Sequence, residues 1–157
     1  MKRLSLIFLA VAVMLTSCQT TPPDMNIRNQ RIILEAPGDY WIGRRVAVKH
    51  TRFWGYVRRP RQPWKTAQLV IFNETEKLAP DRLAENPAPG QRGFQFDNNY
   101  EYRIKGSFSG RKAYDPNSDK ILPEFILKHY ELLNTNPGFL FHPREKRDPF
   151  GIPVPPR

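Results

Sequence analysis

A basic and aromatic stretch between residues 52 and 65 has the residue types and spacing to do binding chemistry. It reads RFWGYVRRPRQPWK and intersperses five cations with four aromatic residues. Arginine offers a planar fork of donors to phosphate or carboxylate, and an exposed tryptophan can stack on sugars or bases. Six residues therefore form a candidate site for an anion or a partner: Arg52, Arg58, Arg59, Arg61, Trp64 and Lys65.

The charge of the chain is concentrated around this stretch. The sequence carries 25 cations and 15 anions, and loss of Lys2 and Arg3 with an N-terminal signal would leave 23 cations and a net charge of +8. Residues 40–73 contain eight cations and no acidic residue, so the remainder of the mature chain is neutral. Solvated surfaces usually mix both signs, and this segregation indicates an anionic partner.

The aromatic residues of the stretch have two interpretations. Phe53, Trp54 and Tyr56 could stack on a ligand, or they could be core residues of a twisted strand. We favour the core, because large aromatic side chains are mostly buried. We expect most of the arginines to lie in solvent.

The only cysteine, Cys18, is the second candidate for chemistry. It follows an apolar run from Leu4 to Leu15, which is shorter than the roughly 20 residues of a spanning helix and is typical of a secretory signal. Leu15-Thr16-Ser17-Cys18 resembles the lipobox of bacterial lipoprotein precursors. The resemblance implies cleavage after Ser17 and a diacylglyceryl thioether on Cys18, carrying fatty acids such as palmitate. An ordinary secretory signal with an incidental cysteine is the alternative.

The lipobox interpretation divides the N-terminal region into a signal peptide, residues 1–17, and a lipidated flexible tether, residues 18–30. In the enterobacterial sorting pattern, Asp after the cysteine retains a lipoprotein in the inner membrane. Gln19 occupies that position here and favours the outer membrane, facing the periplasm, if the host has two membranes. With no second cysteine, the mature chain has no intramolecular disulfide.

Export to the cell envelope changes the candidate ligands of the basic stretch. An envelope protein meets phospholipid headgroups, lipopolysaccharide phosphates, peptidoglycan carboxylates and acidic protein surfaces, whereas cellular nucleic acid is out of reach. We therefore predict a non-enzymatic, membrane-anchored protein that binds an anionic envelope component or a protein partner. A single-stranded nucleic-acid-binding module outside the cytoplasm is the alternative, and an enzyme acting on cell wall or lipid is a third hypothesis.

Catalytic and cofactor motifs are missing from the sequence. The three histidines, His50, His129 and His142, are far apart and lack ligand-like spacing. No nucleophile-elbow, phosphate-loop or calcium-loop pattern occurs. We expect no catalytic residue, no metal and no cofactor.

The elements that must position these residues are predicted to be strands. Sixteen prolines and nine glycines leave few windows for a long helix. Alternating or short apolar runs predict strands at residues 44–49, 53–57, 67–72, 93–96 and 100–108, with bends or bulges at Gly106 and Gly110. Residues 121–134 have both strand-like and helix-like spacing. We favour a strand, because a turn precedes them.

The order and spacing of these strands, over residues 31–135, resemble the OB-fold, a small five-stranded Greek-key barrel. A small antiparallel β-sandwich is the alternative. The usual helix between the third and fourth strands has no candidate beyond a turn at residues 81–85. In the OB-like interpretation, residues 59–65 join the first two strands and line the binding face.

The C-terminal residues 136–157 contain six prolines, which prevent regular pairing, and they predict an extended or loosely docked tail. Phe139, Phe141 and Phe150 could pin parts of it to the domain. A proline-rich ligand for a partner domain is the alternative that we favour less.

Overall fold

Five β-strands close a barrel in the computed structural model, which describes residues 23–141 and 145–156. The strands are β1 (Trp41–Arg45), β2 (Gly55–Arg58), β3 (Gln68–Asn73), β4 (Glu101–Asp115) and β5 (Lys120–Asn134). A helix, α1 (Pro23–Ile33), precedes them, and a hairpin of β6 (Lys146–Arg147) and β7 (Pro153–Val154) follows. The signal peptide, the lipobox and the first five residues of the predicted tether lie outside the described residues.

The strand order around the barrel is β1-β2-β3-β5-β4, and β1 pairs with β4 to close it. All neighbours are antiparallel except β3 and β5, which run parallel. This connection makes a Greek-key barrel of the OB type. The predicted all-β class and OB-like barrel are therefore confirmed, and the β-sandwich is not what forms.

The barrel interior follows from the period of two along each strand, which sends alternate side chains inward. Val57 and Val70 meet Ile104 inside the barrel, and all three are no more than 1 % exposed. The ring of Trp54 stacks on Phe72 with their centroids 4.5 Å apart. The sequence prediction that Phe53, Trp54 and Tyr56 are core residues is confirmed, because each is at most 5 % exposed.

The two longest strands, β4 and β5, form a bent hairpin. Its register shifts at Lys105/Gly106 and again between Phe108 and Lys112, as the sequence predicted for this glycine-containing segment. Gly106 has φ of 153°, and a Cβ there would lie 2.1 Å from the carbonyl oxygen of Ile126. The bulge therefore requires glycine. Residues 121–134 are a strand rather than a helix, as favoured.

The N-terminal helix is the first difference from the sequence predictions. Residues 23–30, predicted as flexible tether, form most of α1. Pro23 suits a first helical turn, because its missing N–H has no helical partner there. Ile32 is 8 % exposed and packs on the barrel. Residues 23–30 therefore belong to α1 rather than to a flexible tether, and the folded unit begins before residue 31.

The C-terminal tail is the second difference. Leu140, Phe141 and Ile152 are each at most 4 % exposed and belong to one cluster with barrel residues. Asp148 bonds the backbone N–H groups of Phe150 and Ile152, which closes the β6–β7 turn. The described part of the tail, residues 136–141 and 145–156, is thus part of the folded unit, where local side-chain bonds supplement the short β6–β7 pair.

Two loop predictions also differ from the structure. Residues 59–65 join β2 to β3, whereas the β1–β2 connection runs through the turn around His50, which has φ of 65°. Residues 93–96, predicted as a strand, form turns. The segment between β3 and β4 has no helix, in line with its sequence.

Candidate functional site

The outer surface of β1, β2 and β3 is covered by the two ends of the chain. Ile42 on β1 and Tyr56 on β2 belong to a cluster that α1 and the tail complete. The Phe141 ring meets Tyr56 edge-on at 5.1 Å, and the Tyr56 hydroxyl donates to the Pro153 carbonyl oxygen at 2.6 Å. Burial and the nearby Asp148 and Glu145 carboxylates raise the pKa of Tyr56.

This covered surface includes strands 2 and 3, the face with which OB-folds bind oligonucleotides and oligosaccharides. Here its side chains contact the protein's own helix and tail. A ligand could reach them only if both segments left. The face that the fold alone would suggest is therefore structural in this protein.

Two arginines of the basic region are buried in the same layer. The Arg44 and Arg58 side chains are each 1 % exposed. Arg44 donates to Glu101 at 2.8 Å and to the Gly138 carbonyl oxygen at 2.9 Å, and Arg58 pairs with Glu35 at 2.5 Å. These bonds join the barrel to the tail and to the segment after α1.

Trp64 lies among three guanidinium groups. The Cζ atoms of Arg58, Arg44 and Arg28 are 4.5, 5.1 and 5.9 Å from its ring centroid. The side chain is 5 % exposed and belongs to the core cluster. Its electron-rich face stabilises cations that have been removed from water. Most of the Trp64 side chain is therefore occupied within the protein, and the remainder lines a crevice beside α1.

A third arginine, Arg45, is buried at one end of the barrel. Its Nη2 lies 2.6 Å from Asp81 Oδ2, and its Nε lies 3.6 Å from Asp97 Oδ1. Tyr102 donates to Asp97 at 2.8 Å. Burial and the Asp81 charge raise the pKa of Asp97, and burial and the Asp97 charge raise that of Tyr102. Half of the six arginines in residues 40–73 are thus buried. Within residues 52–65, Arg52, Arg59 and Arg61 are exposed as expected, and Arg58 is the exception.

The remaining sequence-predicted site residues are exposed, but they do not all meet. Arg61 reaches the end of α1, where its Nε donates to the Glu35 carbonyl oxygen at 2.8 Å. Lys65 lines a crevice beside α1. Arg59 pairs with Asp39 at 3.0 Å and lies over Trp41 at 3.9 Å from the ring centroid. Arg52 lies apart, in the β1–β2 loop.

Helix α1 adds residues that sequence reasoning missed. Ile27, Ile33 and Leu34, the last directly after the helix, are 52 %, 66 % and 80 % exposed, and Arg31 is exposed between them. Ile27, Arg31 and Leu34 share one side of α1 by their spacing, Ile33 is exposed on another side, and Arg61 and Lys65 lie on the adjoining β2–β3 loop. We call this exposed border of α1 the basic-apolar face: Ile27, Arg31, Ile33, Leu34, Arg61 and Lys65. The available signal was the helical spacing of residues 27, 31 and 34, which the proline-containing tether interpretation hid.

A crevice of about 170 Å³ opens beside this face, between α1, the β2–β3 loop and the tail. Its floor is apolar and includes Ile32 and Leu140, while Arg28 and Lys65 supply cations. Burial and the neighbouring Arg44 charge lower the pKa of Arg28 to about 10, so it remains protonated at neutral pH. The crevice can accept a small apolar group that carries a negative charge.

The structure separates Arg58 from Arg59, two neighbours that the sequence placed in one site. Replacing Arg58 with alanine removes two bonds to Glu35 and the contact with Trp64, and we expect a loss of about 2 kcal/mol of unfolding free energy. Arg59→Ala breaks an exposed pair with Asp39 and a contact with the Trp41 ring, and it should change stability by about 1 kcal/mol or less. Urea denaturation of both variants tests this, and equal losses would contradict it.

The described residues show no metal site and no candidate membrane span. Within residues 23–141 and 145–156, no group of three or more histidine, cysteine, aspartate or glutamate side chains is placed to hold a metal ion. No helix in the same ranges is long and apolar enough to cross a bilayer. Searches against protein-family models, curated proteins and solved structures return no match for this chain.

Proposed function

We propose that this protein is a non-enzymatic envelope lipoprotein, anchored through Cys18, whose basic-apolar face binds an anionic membrane surface. One observation carries the proposal. The helix that, with the residue directly after it, exposes three large apolar side chains near cations begins five residues after the candidate lipidated cysteine. Five extended residues span at most about 18 Å, so lipidation would hold α1 close to the bilayer.

The composition of the face selects its ligand class. Isoleucine and leucine side chains insert among acyl chains, and each arginine or lysine near an anionic bilayer contributes about 1 kcal/mol. A peptidoglycan carboxylate or an acidic protein would use the cations but would not need three exposed aliphatic residues. Phosphate headgroups, of phospholipid or lipopolysaccharide, are therefore the preferred partners. In a host with two membranes, Gln19 favours the outer one.

The nucleic-acid alternative has less support than the sequence suggested. It needs the outer surface of β2 and β3 and an accessible Trp64, and the protein's own ends cover both. It also needs the arginines of the basic region, half of which are paired inside the fold. The expectation that the protein is not an enzyme remains a prediction.

The anchor is tested by mass spectrometry of the chain expressed in a bacterium with the lipoprotein-processing enzymes. We expect the N-terminus to be Cys18 with a diacylglyceryl group, and the protein to partition with membranes. Cys18→Ser should abolish both. A mature protein cleaved elsewhere, or unmodified at Cys18, would refute the anchor.

The membrane-binding face is tested on the unlipidated chain with vesicles of phosphatidylglycerol and phosphatidylethanolamine at low and high salt. Neutralising Arg31, Arg61 and Lys65 together, each to glutamine, should remove about 3 kcal/mol, or roughly a hundredfold in partitioning. The matched control neutralises three other exposed cations: Arg92, Lys112 and Lys128. The proposal would be contradicted if both triple variants lost the same amount of partitioning. It would also be contradicted if the protein bound vesicles of pure phosphatidylcholine as well as it bound the anionic vesicles.

A further inference from the structure

A second concave surface lies among the loops at one end of the barrel, separate from the basic-apolar face. It is a cleft of about 720 Å³ between the β1–β2 loop, the β3–β4 connection and the β4–β5 turn. This volume lies within the range of roughly 300–1,000 Å³ that is typical of ligand pockets. Among the six site residues proposed from the sequence, none lines it, although Thr51 beside Arg52 does.

The lining of the cleft is polar and electrically balanced. Lys49 and Glu85 supply one charge of each sign. Three amide side chains, Asn86, Gln95 and Asn117, add groups that both donate and accept hydrogen bonds. Sugar hydroxyl groups have the same dual capacity. The balance of charge does not favour a polyanion, and the amides favour a ligand with many hydroxyl or acetamido groups.

One aromatic ring completes the lining. Phe94 is half-buried, and the Arg82 guanidinium lies 5.7 Å from its ring centroid. Because Phe94 lines the cleft, its ring offers an aromatic surface to a flat, weakly polar ligand. The C–H face of a pyranose has this character, and it carries the slight positive charge that an aromatic face attracts.

The three loops are tied together around the cleft. Asn117 Nδ2 donates to the His50 carbonyl oxygen, and Gln95 Nε2 donates to the Val48 carbonyl oxygen at 3.2 Å. His50 and Gln95 have φ of 65° and 63°, a region that residues other than glycine rarely adopt. Such strained residues concentrate at functional sites, where the surrounding contacts hold them. Each of these two amides uses one N–H within the protein, which leaves its second N–H and its carbonyl oxygen for a ligand.

We propose that this cleft binds a neutral oligosaccharide segment, with Phe94 as the stacking platform and Asn86, Gln95 and Asn117 as hydrogen-bonding groups. The cleft does not include any residue of the basic-apolar face. A protein with both sites would join a membrane surface to a glycan chain. The proposal does not depend on membrane binding, since either site can fail without the other.

The test uses the full mature chain carrying Cys18→Ser and chitohexaose as the probe, followed by two-dimensional NMR of backbone and side-chain amides. We expect shifts confined to the three loops, including the side-chain amide signals of Asn86, Gln95 and Asn117. Phe94→Leu keeps an apolar side chain but loses the aromatic face, and it should weaken binding about tenfold. Asn86→Ala, at an exposed position, should also weaken binding without affecting the fold.

Phe96→Leu is the matched control, because Phe96 is also half-buried and lies beside a cation, Arg92, but is outside the cleft lining. Its affinity for chitohexaose should equal that of the parent chain. The proposal would be overturned if chitohexaose caused no shifts, or if Phe94→Leu and Phe96→Leu lost equal affinity for it. It would also be overturned if polyglutamate, and not the sugar, shifted the signals of the cleft. The last result would indicate an acidic peptide as the ligand.

Discussion

Replacing Asp81 with asparagine is expected to lower the free energy of unfolding by about 3–5 kcal/mol, because it removes the main counter-charge of a buried arginine. The Arg45 side chain is 3 % exposed, and Asp81 is fully buried. Arg45 reaches Asp81 Oδ2 from both Nε, at 3.1 Å, and Nη2, at 2.6 Å. An amide oxygen can accept these bonds but cannot balance the charge. Urea denaturation followed by tryptophan fluorescence measures the loss.

Asp97→Asn is the matched control, and it should change stability by about 1 kcal/mol or less. Asp97 Oδ1 lies 3.6 Å from Arg45, beyond hydrogen-bond distance, and the Tyr102 hydroxyl can donate to an amide oxygen as it does to the carboxylate. If Asp97→Asn costs as much as Asp81→Asn, the two carboxylates share the charge equally and the assignment of the main partner is wrong.

The Asp81 and Asp97 carboxylates also predict how the stability of the protein depends on pH. Burial and the Asp81 charge raise the pKa of Asp97, so the folded state holds this proton more tightly than the unfolded chain. The contribution of Asp97 to stability therefore falls as the pH rises from about 3.9, the unfolded value, to its folded pKa. Over that interval the stability of Asp97→Asn should rise relative to the parent protein. The opposite trend would contradict the raised pKa.

Replacing Phe141 with alanine is expected to cost about 3–5 kcal/mol of unfolding free energy. Its ring is 4 % exposed and packs edge-on against Tyr56, in the cluster that joins the tail to the outer surface of the barrel. The cavity would open directly beneath the tail. Thermal and urea denaturation measure the loss, and hydrogen exchange should show faster opening around Ile152.

Phe139→Ala is the control for the same tail, two residues away. This ring is 63 % exposed, so its removal should change stability by about 0.5 kcal/mol. A loosely docked tail, as the prolines suggested, would make both substitutions equally mild. That result would show that residues 136–141 do not stabilise the folded unit in solution.

The covered outer surface is the reason that we place the proposed binding site beside α1 and not on the barrel. An OB-like barrel presents strands 2 and 3 to its ligands when that face is open. In this chain, Ile32 from α1 and Phe141 from the tail fill the position that a ligand would take. The exposed cations that remain near α1, such as Arg61 and Lys65, therefore lie at the border of the helix rather than on the barrel face.

Most of the strands were predictable because they depend on local patterns, whereas their order around the barrel was expected only from the resemblance to the OB-fold. Alternating apolar residues, turn residues and glycines at bulges each act over a few neighbours, and β3 and β5 were read correctly from them. The fate of the arginines was not predictable in the same way. Whether Arg58 meets solvent or Glu35 depends on where a segment 23 residues away returns to the barrel.

The sequence by itself determined the all-β class, the position of most strands, the aromatic core and the concentration of positive charge in residues 40–73. It also carries the lipobox-like tetrapeptide, which is a local sequence pattern and predicts lipidation without reference to the fold. Only the tertiary structure decided which cations are available. A charge can be buried only where a carboxylate, often distant in sequence, balances it. Arg44, Arg45 and Arg58 pair with carboxylates inside the fold. Arg31, Arg61 and Lys65 remain at the surface around α1.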